Sequence, residues 1–261
     1  MEQVTSIENP WVKKVRDYLR ASSHSRKFDG VWLEGDHLIR AALTRGWKPR
    51  VWFWNEQGPQ HPNAEFSSLQ SEQGRHICVP VSIMNKITSM ESAPPVSAWL
   101  SWADQPLKDL ASDTHHSDGL VLDRLQDPGN VGTILRSAAA MGFKHIWSLR
   151  GTVSMWSPKV LRSGMGAHFS LVLHEGCVLD DIRALNRPLT ATSSHEGQWL
   201  HQAVINRPCT FVLGHEGQGI SPDLAKLATD WVRIYQPAGE ESLNVGVAAG
   251  ICMHSAVVLR L

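Results

Sequence analysis

The chain has 261 residues, equal numbers of basic and acidic residues (25 of each) and 42% hydrophobic residues. This composition excludes a disordered or low-complexity chain, and the length is sufficient for one large or two modest globular domains. Four scattered cysteines without a C-x-x-C pair predict buried free thiols rather than disulfides or a zinc site: Cys78, Cys177, Cys209 and Cys252. The N-terminal residues lack a basic stretch followed by an apolar one, which predicts a cytoplasmic protein.

The first part of the chain alternates helical and β-rich patterns. We predict helices at Pro10–Ser22 and Gly35–Arg45, and strands at Arg50–Trp54 and His76–Val81. The segment 10–50 has a net charge of +6, so the rest of the chain has −6. Charge alone leaves two interpretations equally open, a surface that attracts phosphates and an ordinary solvated helix face.

The stretch Glu91–Gly119 is rich in Pro, Ser, Asp and His, which is typical of a connection, although Ser97–Trp102 has the pattern of a strand. We therefore predict a first domain over residues 1–90, a linker over 91–118 and a second domain over 119–261.

The second domain alternates strands and helices regularly. The predicted strands are Leu120–Asp123, His145–Leu149, Phe169–Leu173, Leu189–Ser193, Thr210–Gly214 and Trp231–Ile234. The predicted helices are Asn130–Met141, Pro158–Gly164, Val178–Leu185, Ser221–Ala228 and Leu243–Leu259. Strands that are apolar throughout predict a parallel α/β sheet covered by helices. Ligands bind beyond the carboxyl ends of such strands, so the loops after Asp123, Ser193, Gly214 and Ile234 are the candidate sites.

Three loops carry polar residues suited to chemistry. The first precedes a helix with Asn130 as its expected N-cap and Arg136 off its apolar stripe. The second has three glycines between Gly214 and Gly219, and the third opens the last helix with Ser242 as its expected N-cap. Taken singly, each loop is explained by turn and cap chemistry. The patterns of a dinucleotide-binding dehydrogenase, a nucleoside triphosphatase, a G-x-S-x-G hydrolase and an H-E-x-x-H metalloenzyme are missing from the sequence.

Taken together, the loops resemble the three signature motifs of the SpoU (TrmH-type) RNA ribose methyltransferases of the SPOUT superfamily. The matching residues are Asp127-Pro128-x-Asn130-x-Gly132-x-x-x-Arg136, Gly214-x-Glu216-Gly217-x-Gly219 and Glu241-Ser242-Leu243-Asn244-Val245. The segment 157–166 resembles the family's stretch between the first two motifs. The N-terminal part, with Asn9-Pro10 and Glu34-Gly35, is more loosely similar to the family's small α/β substrate-binding domain.

The resemblance implies a parallel α/β sheet whose C-terminal segment forms a trefoil knot, preceded by an N-terminal RNA-binding domain. It implies S-adenosylmethionine as cofactor, no metal, and a homodimer with the active site near the subunit interface. The implied reaction is methylation of a ribose 2′-hydroxyl in RNA, with ribosomal RNA favoured over transfer RNA. The alternative from another class is a non-catalytic SPOUT-fold RNA-binding or assembly protein, which we would expect to lack Arg136, Asn130 or Asn244.

Carried over by position, the resemblance assigns roles to individual residues. The implied catalytic and substrate-orienting residues are Arg136, Asn130, Glu216, Ser242 and Asn244. The implied cofactor-binding residues are Thr192, Leu213, Gly214, Gly219, Ile234, Gln236 and Leu243. The expected RNA-binding residues are Lys13, Lys14, Arg16, Arg20, Arg26 and Lys27. The sequence departs from the family pattern at Tyr235, where a proline is common, and at Gly164 and Gly246, where serine is frequent.

Overall fold

A computed structural model describes residues 1–21, 27–57, 69, 73–104, 116–205, 208–238 and 242–258. The chain divides into two compact units. The first consists of Met1–Leu107 with Trp156–Phe169, and the second of Lys108–Met155 with Ser170–Leu261. These limits differ from the predicted domain boundaries, because part of the expected linker and an internal segment of the expected second domain belong to the first unit.

The elements up to residue 104 are β1 (Glu2–Gln3), α1 (Pro10–Arg20), β2 (Gly30–Glu34), α2 (Asp36–Leu43), β3 (Val51–Asn55), β4 (Arg75–Val79), α3 (Val81–Met84), β5 (Val96–Ser101) and a 3₁₀ turn (Trp102–Asp104). From residue 119 they are β6 (Gly119–Leu122), α4 (Pro128–Ala140), β7 (His145–Leu149), α5 (Pro158–Gly164), a 3₁₀ turn (Ala167–Ser170), β8 (Val172–Cys177), α6 (Leu179–Ala184), β9 (Thr190–Thr192), β10 (Gln198–Trp199), β11 (Thr210–Leu213), α7 (Pro222–Ala225), β12 (Asp230–Arg233) and α8 (Val245–Val258).

The first unit is built on a mixed sheet of five strands in the order β1-β4-β3-β5-β2. Strands β1, β4 and β3 are parallel, whereas β5 runs antiparallel to both β3 and β2. Tryptophans dominate its core, since Trp32, Trp52 and Trp99 are fully buried. We therefore interpret the high tryptophan content of this part of the chain as packing.

The second unit contains a sheet of seven strands in the order β10-β12-β9-β11-β6-β7-β8, with every neighbouring pair parallel. This confirms the predicted parallel α/β sheet. Val121 and Val212 pack on one face with Ile182 of α6 and Leu224 of α7. Helix α8 packs against α4 and β11.

Several sequence predictions need correction. The predicted strand Phe169–Leu173 is wrong at its start, because Phe169 lies in a 3₁₀ turn and the strand begins at Val172. Phe169 is apolar because it is buried against Trp47 and Trp156 in the first unit. The strand pattern at Ser97–Trp102 corresponds to β5, whereas β1, β2 and β10 were not predicted.

All four cysteines are free and buried, as predicted. Burial raises the pKa of the Cys209 and Cys252 thiols to about 12.

Among the described residues, no helix combines the length and apolar character needed to cross a bilayer.

Candidate functional site

A cleft of about 640 Å³ lies at the carboxyl ends of β9, β11 and β12, beside the start of α8. Six of the seven residues expected to bind the cofactor line it: Thr192, Gly214, Gly219, Ile234, Gln236 and Leu243. The seventh, Leu213, does not line the cleft, because its side chain is fully buried at the end of β11. Parallel strands therefore bring loops that are distant in sequence to one edge of the sheet.

One wall of the cleft is the loop 214–220, which we call the glycine loop. Its ends are held by two backbone hydrogen bonds, from His215 N–H to the Gly219 carbonyl (3.0 Å) and from Gly219 N–H to the His215 carbonyl (2.9 Å). A Cβ atom on Gly214 would lie 2.3 Å from the Gly219 carbonyl carbon, and Gly219 has a φ of +67°. Glycine at these two positions therefore permits the tight closure of the loop.

The glycine loop is anchored to the end of β6 by two residues that we did not predict as part of the site. Asp123 is buried, and its carboxylate accepts hydrogen bonds from the Ser221 N–H (2.6 Å) and from Arg124 Nε (3.0 Å). The Arg124 guanidinium also donates to the Gln218 side-chain oxygen (2.9 Å). The position of Asp123, directly after a buried strand, is the sequence signal that could have identified this anchor.

Three side chains, one from each family-like motif, form a continuous chain of hydrogen bonds that we call the polar relay. The Glu216 carboxylate accepts from Asn130 Nδ2 (3.1 Å) and from the backbone N–H groups of Gln126 and Asp127 (both 3.3 Å). Asn130 Oδ1 accepts in turn from Asn244 Nδ2 (2.8 Å). Asn244 Oδ1 then accepts from the backbone N–H groups at the start of α8.

The relay corrects two predicted helix caps. Asp127 caps α4 by accepting from the Asn130 N–H (2.9 Å), and Pro128 occupies the first helical position, so Asn130 already lies inside the helix. Asn244 caps α8 through the Gly246 N–H (2.9 Å), so the expected cap at Ser242 is also wrong. The chain becomes helical only at Val245, which leaves Ser242 too far from the first free N–H groups.

The relay also determines the charge state of Glu216. Partial burial raises the pKa of this carboxyl. Hydrogen bonds outweigh that effect and hold the pKa below its ordinary value; they come from the Asn130 side chain and from backbone N–H groups, including those of Gln126 and Asp127. Glu216 is therefore an acceptor at neutral pH, and the Asn130 amide must direct its nitrogen toward the carboxylate.

Of the five expected catalytic residues, two stand apart from the relay. Ser242 lines the cleft and makes no hydrogen bond to another described residue. Arg136 is exposed on α4 and does not line the cleft, and its side chain forms no hydrogen bond or ion pair within the described part of the chain. It lies about 9 Å along the helix axis from Asn130, at a rise of ~1.5 Å per residue. A single chain therefore does not bring Arg136 to the cleft.

The expected RNA-binding residues lie on or after α1 in the first unit. Lys13 pairs with Glu8 (2.5 Å), while Lys14 pairs with Asp29 (2.6 Å) and stacks over Trp11 and Trp99. Arg20 and Lys27 are exposed and Arg16 is partly exposed, whereas Arg26 lies outside the described residues. Exposed ion pairs are weak, so a phosphate can displace them at small cost.

Among the residues that the structure describes, no group of three or more His, Cys, Asp or Glu side chains is arranged to hold a metal ion.

Comparison with known proteins places this geometry among RNA methyltransferases. Residues 119–254 match the model of the SpoU rRNA methylase family. The chain is 33% identical to an uncharacterized tRNA/rRNA methyltransferase of Synechocystis sp., over 97% of this chain and 92% of that protein. It is 26% identical to the 23S rRNA (guanosine(2553)-2'-O)-methyltransferase RlmP of Bacillus subtilis, over 97% and 98% of the two chains.

A solved structure agrees over the whole chain. The AdoMet-bound rRNA methyltransferase from Sinorhizobium meliloti superposes with a TM-score of 0.82 at 27% identity, covering 100% of this chain and 98% of that one. The family match includes the cleft, the glycine loop and the polar relay. The chain belongs to the SpoU rRNA methylase family.

Proposed function

We propose that this protein transfers a methyl group from S-adenosylmethionine to a ribose 2′-hydroxyl of ribosomal RNA. The observation that carries the proposal is the polar relay, which joins Asn130, Glu216 and Asn244 at the edge of a cleft of about 640 Å³. RlmP, to which the chain is 26% identical, is by its name a 2′-O-methyltransferase of 23S ribosomal RNA.

The cleft has the chemistry that S-adenosylmethionine requires. Its volume lies in the usual range for small-molecule sites, and Ile234 and Leu243 supply apolar walls for an adenine ring. At Gly214, Gly217 and Gly219 the glycine loop would let backbone groups approach the ligand closely. When bound, the cofactor supplies a methyl group that its sulfonium charge has already activated. Thr192, Gly214 and Gln236 would hold it from the strand ends.

The chain's own residues must position and activate the ribose hydroxyl, which is a weak acid and a weak nucleophile at neutral pH. The relay holds Asn130 and Asn244 in fixed orientations beside the cleft, where they would orient the target nucleotide. Arg136 would stabilise the developing alkoxide by its charge. A guanidinium donates hydrogen bonds and offers no acceptor for the proton, so we assign the proton to a phosphate of the RNA or to water.

We also propose a homodimer with the active site near the subunit interface. Helix α8 exposes an apolar stripe at spacings of four and seven residues, with Val247 52%, Ile251 38% and Val258 45% exposed. Because α8 packs against α4, which carries the exposed Arg136, a partner subunit that covers this region would bring Arg136 close to a cleft. Two-fold pairing of the same face is the commonest form of self-association.

Two further features of the family are part of the proposal. The chain leaves β12 near one edge of the sheet and returns to place α8 against β11 and α4, which supports a trefoil knot in this segment. The first unit would bind RNA through Arg16, Arg20 and neighbouring basic residues, which lie in the segment with a net charge of +6. A cytoplasmic location stays a prediction.

The experiment that tests the reaction is calorimetric titration of the purified protein with S-adenosylmethionine, followed by transfer of tritiated methyl groups to unmodified ribosomal RNA. We expect saturable binding, and transfer that stops when the 2′-hydroxyls are already methylated. Absence of binding at millimolar cofactor would refute the methyltransferase function. Binding without transfer to any ribosomal or transfer RNA would favour the non-catalytic RNA-binding alternative.

The Arg136→Ala variant tests the role of the arginine. We expect transfer to fall by at least a hundredfold while the dissociation constant for the cofactor stays within about twofold, because Arg136 does not line the cleft. Arg136→Lys is the matched control, since it keeps the charge and loses the bidentate fork. Transfer by Arg136→Ala at a rate close to that of the wild type would show that the assignment is wrong.

A further inference from the structure

A partly exposed aromatic cluster lies directly beside the cofactor cleft and has no part in the function proposed so far. Its members are Trp199 at the end of β10, Arg233 at the end of β12, and Tyr235. The rings of Trp199 and Tyr235 meet edge to face with centroids 5.4 Å apart. The Arg233 guanidinium carbon lies 3.7 Å from the Trp199 ring centroid, close enough for stacking.

The sheet places this cluster at the same edge as the cleft. Trp199 and Arg233 are register partners in the parallel pair β10 and β12, so their side chains leave the sheet side by side. Arg233 also donates to the His195 carbonyl (3.1 Å), and His195 lines the cleft. Ile234 and Gln236, on either side of Tyr235, line the cleft as well, whereas Tyr235 does not. The cluster therefore forms the outer rim of the cleft.

The exposure of Tyr235 is the second observation. Its side chain is 58% exposed, although buried aromatic residues elsewhere in the chain show that the fold readily encloses such rings. Trp199 and His201 meet the tyrosine ring edge to face, and Arg233 stacks on Trp199 rather than on the tyrosine. Partly exposed aromatic rings in positively charged surroundings are the surfaces on which the bases of single-stranded nucleic acids stack.

We propose that Tyr235, supported by Trp199 and Arg233, is a stacking platform for an unpaired base of the RNA substrate next to the target nucleotide. The proposal rests on the RNA methyltransferase function and adds to it a positioning residue outside the basic N-terminal segment. Sequence-specific RNA recognition uses unpaired bases that stack on aromatic rings and arginine planes. A base on this platform would hold the neighbouring ribose at the mouth of the cleft.

The test compares Tyr235→Ala with Tyr235→Phe, using two fluorescein-labelled probes at low salt. One probe is a short oligouridylate, and the other is an RNA strand of equal length without bases. We expect Tyr235→Ala to bind the oligouridylate about tenfold more weakly, with no change for the abasic strand. Tyr235→Phe keeps the ring and should bind like the wild type. Val204→Ala is the matched control, because Val204 is an 83% exposed apolar residue of the same unit outside the cleft.

Four outcomes would overturn the platform. Equal losses on both probes would mean that Tyr235 affects the fold or the phosphate contacts instead of stacking. A loss of S-adenosylmethionine affinity in the same variant, measured by calorimetry, would mean that the ring covers the cofactor. Oligouridylate binding that is undetectable in the wild type, or unchanged in Tyr235→Ala, would remove the basis for RNA stacking. A wild-type protein that binds the oligouridylate through Tyr235 but never transfers a methyl group would leave the platform standing and refute the proposed reaction.

Discussion

The polar relay makes a directional prediction for the substitution Glu216→Gln. Oε1 of Glu216 accepts from both the Asp127 N–H and Asn130 Nδ2, whereas Oε2 accepts from the Gln126 N–H. A glutamine keeps only one of these two acceptors, so its NH₂ group opposes either the Gln126 N–H or both the Asp127 N–H and Asn130 Nδ2. If the Asn130 amide turns over to relieve the second arrangement, its nitrogen opposes Asn244 Nδ2, and the Asp127 N–H still lacks an acceptor. If Asn244 also turns over, α8 loses the acceptor that caps it.

The expected cost follows from the bonds at stake. A charge-assisted hydrogen bond contributes about 1.5–3 kcal/mol when buried, and the exposure of Glu216 reduces this to about 1 kcal/mol. For a chain of this size that loss lowers Tm by about 2–4 °C. Because the relay orients both asparagines, we expect the rate of methyl transfer to fall by about tenfold or more, which is more than the small loss of folded protein alone would cause. Thermal unfolding and tritium transfer measure the two effects separately.

A second substitution can restore the relay. In the double variant Glu216→Gln, Asn130→Asp, the aspartate accepts from both the glutamine NH₂ group and Asn244 Nδ2, so the relay is joined again and only the Asp127 N–H lacks its former acceptor. We expect the double variant to lose less stability than the two single variants together, which is a test by non-additivity. Glu196→Gln is the control, because Glu196 lines the same cleft and its carboxylate makes no hydrogen bond among the described residues. A stable, fully active Glu216→Gln, or a double variant that loses the sum of both single losses, would refute the relay.

Three other predictions concern the loop, the titration of the relay and the basic segment. Gly214→Ala should weaken cofactor binding at least tenfold in calorimetry, since its Cβ would lie 2.3 Å from the Gly219 carbonyl carbon. Gly250→Ala is the control, because no atom lies within 4 Å of its Cβ, and it should stabilise α8 by up to about 1 kcal/mol in thermal unfolding. The pKa of Glu216 is lowered from 4.5, so the stability contributed by its carboxylate should be complete above that value and should disappear as the pH falls through the lowered pKa. The difference in Tm between the wild type and Glu216→Gln should therefore vanish in acid. A difference that grows in acid would contradict this sign. Arg20→Ala should weaken RNA binding and flatten its salt dependence while cofactor affinity stays constant, and an unchanged salt slope would place the RNA elsewhere.

The sequence by itself determined the local features of this protein. Apolar runs between turn residues predicted most of the strands of the parallel sheet, including His145–Leu149 without error. The carboxyl ends of those strands identified three loops that line the cleft, those after Ser193, Gly214 and Ile234, because parallel strands end at a common edge. The fourth predicted loop, after Asp123, does not line it. The joint spacing of the three motifs identified the family. These inferences depend only on periodicity and chain order, which short-range patterns contain.

The tertiary structure decided everything that depends on which distant groups meet. Asn130 and Ser242 satisfy the sequence rules for N-caps, but Asp127 and Asn244 take those roles because Pro128 and Val245 begin the helices. The direction of the relay, the anchoring of the glycine loop by Asp123, and the packing of Trp199, Arg233 and Tyr235 follow from the strand order. Hydrogen bonds and ring contacts between residues tens of positions apart leave no periodic trace in the sequence, so only the folded chain reveals them.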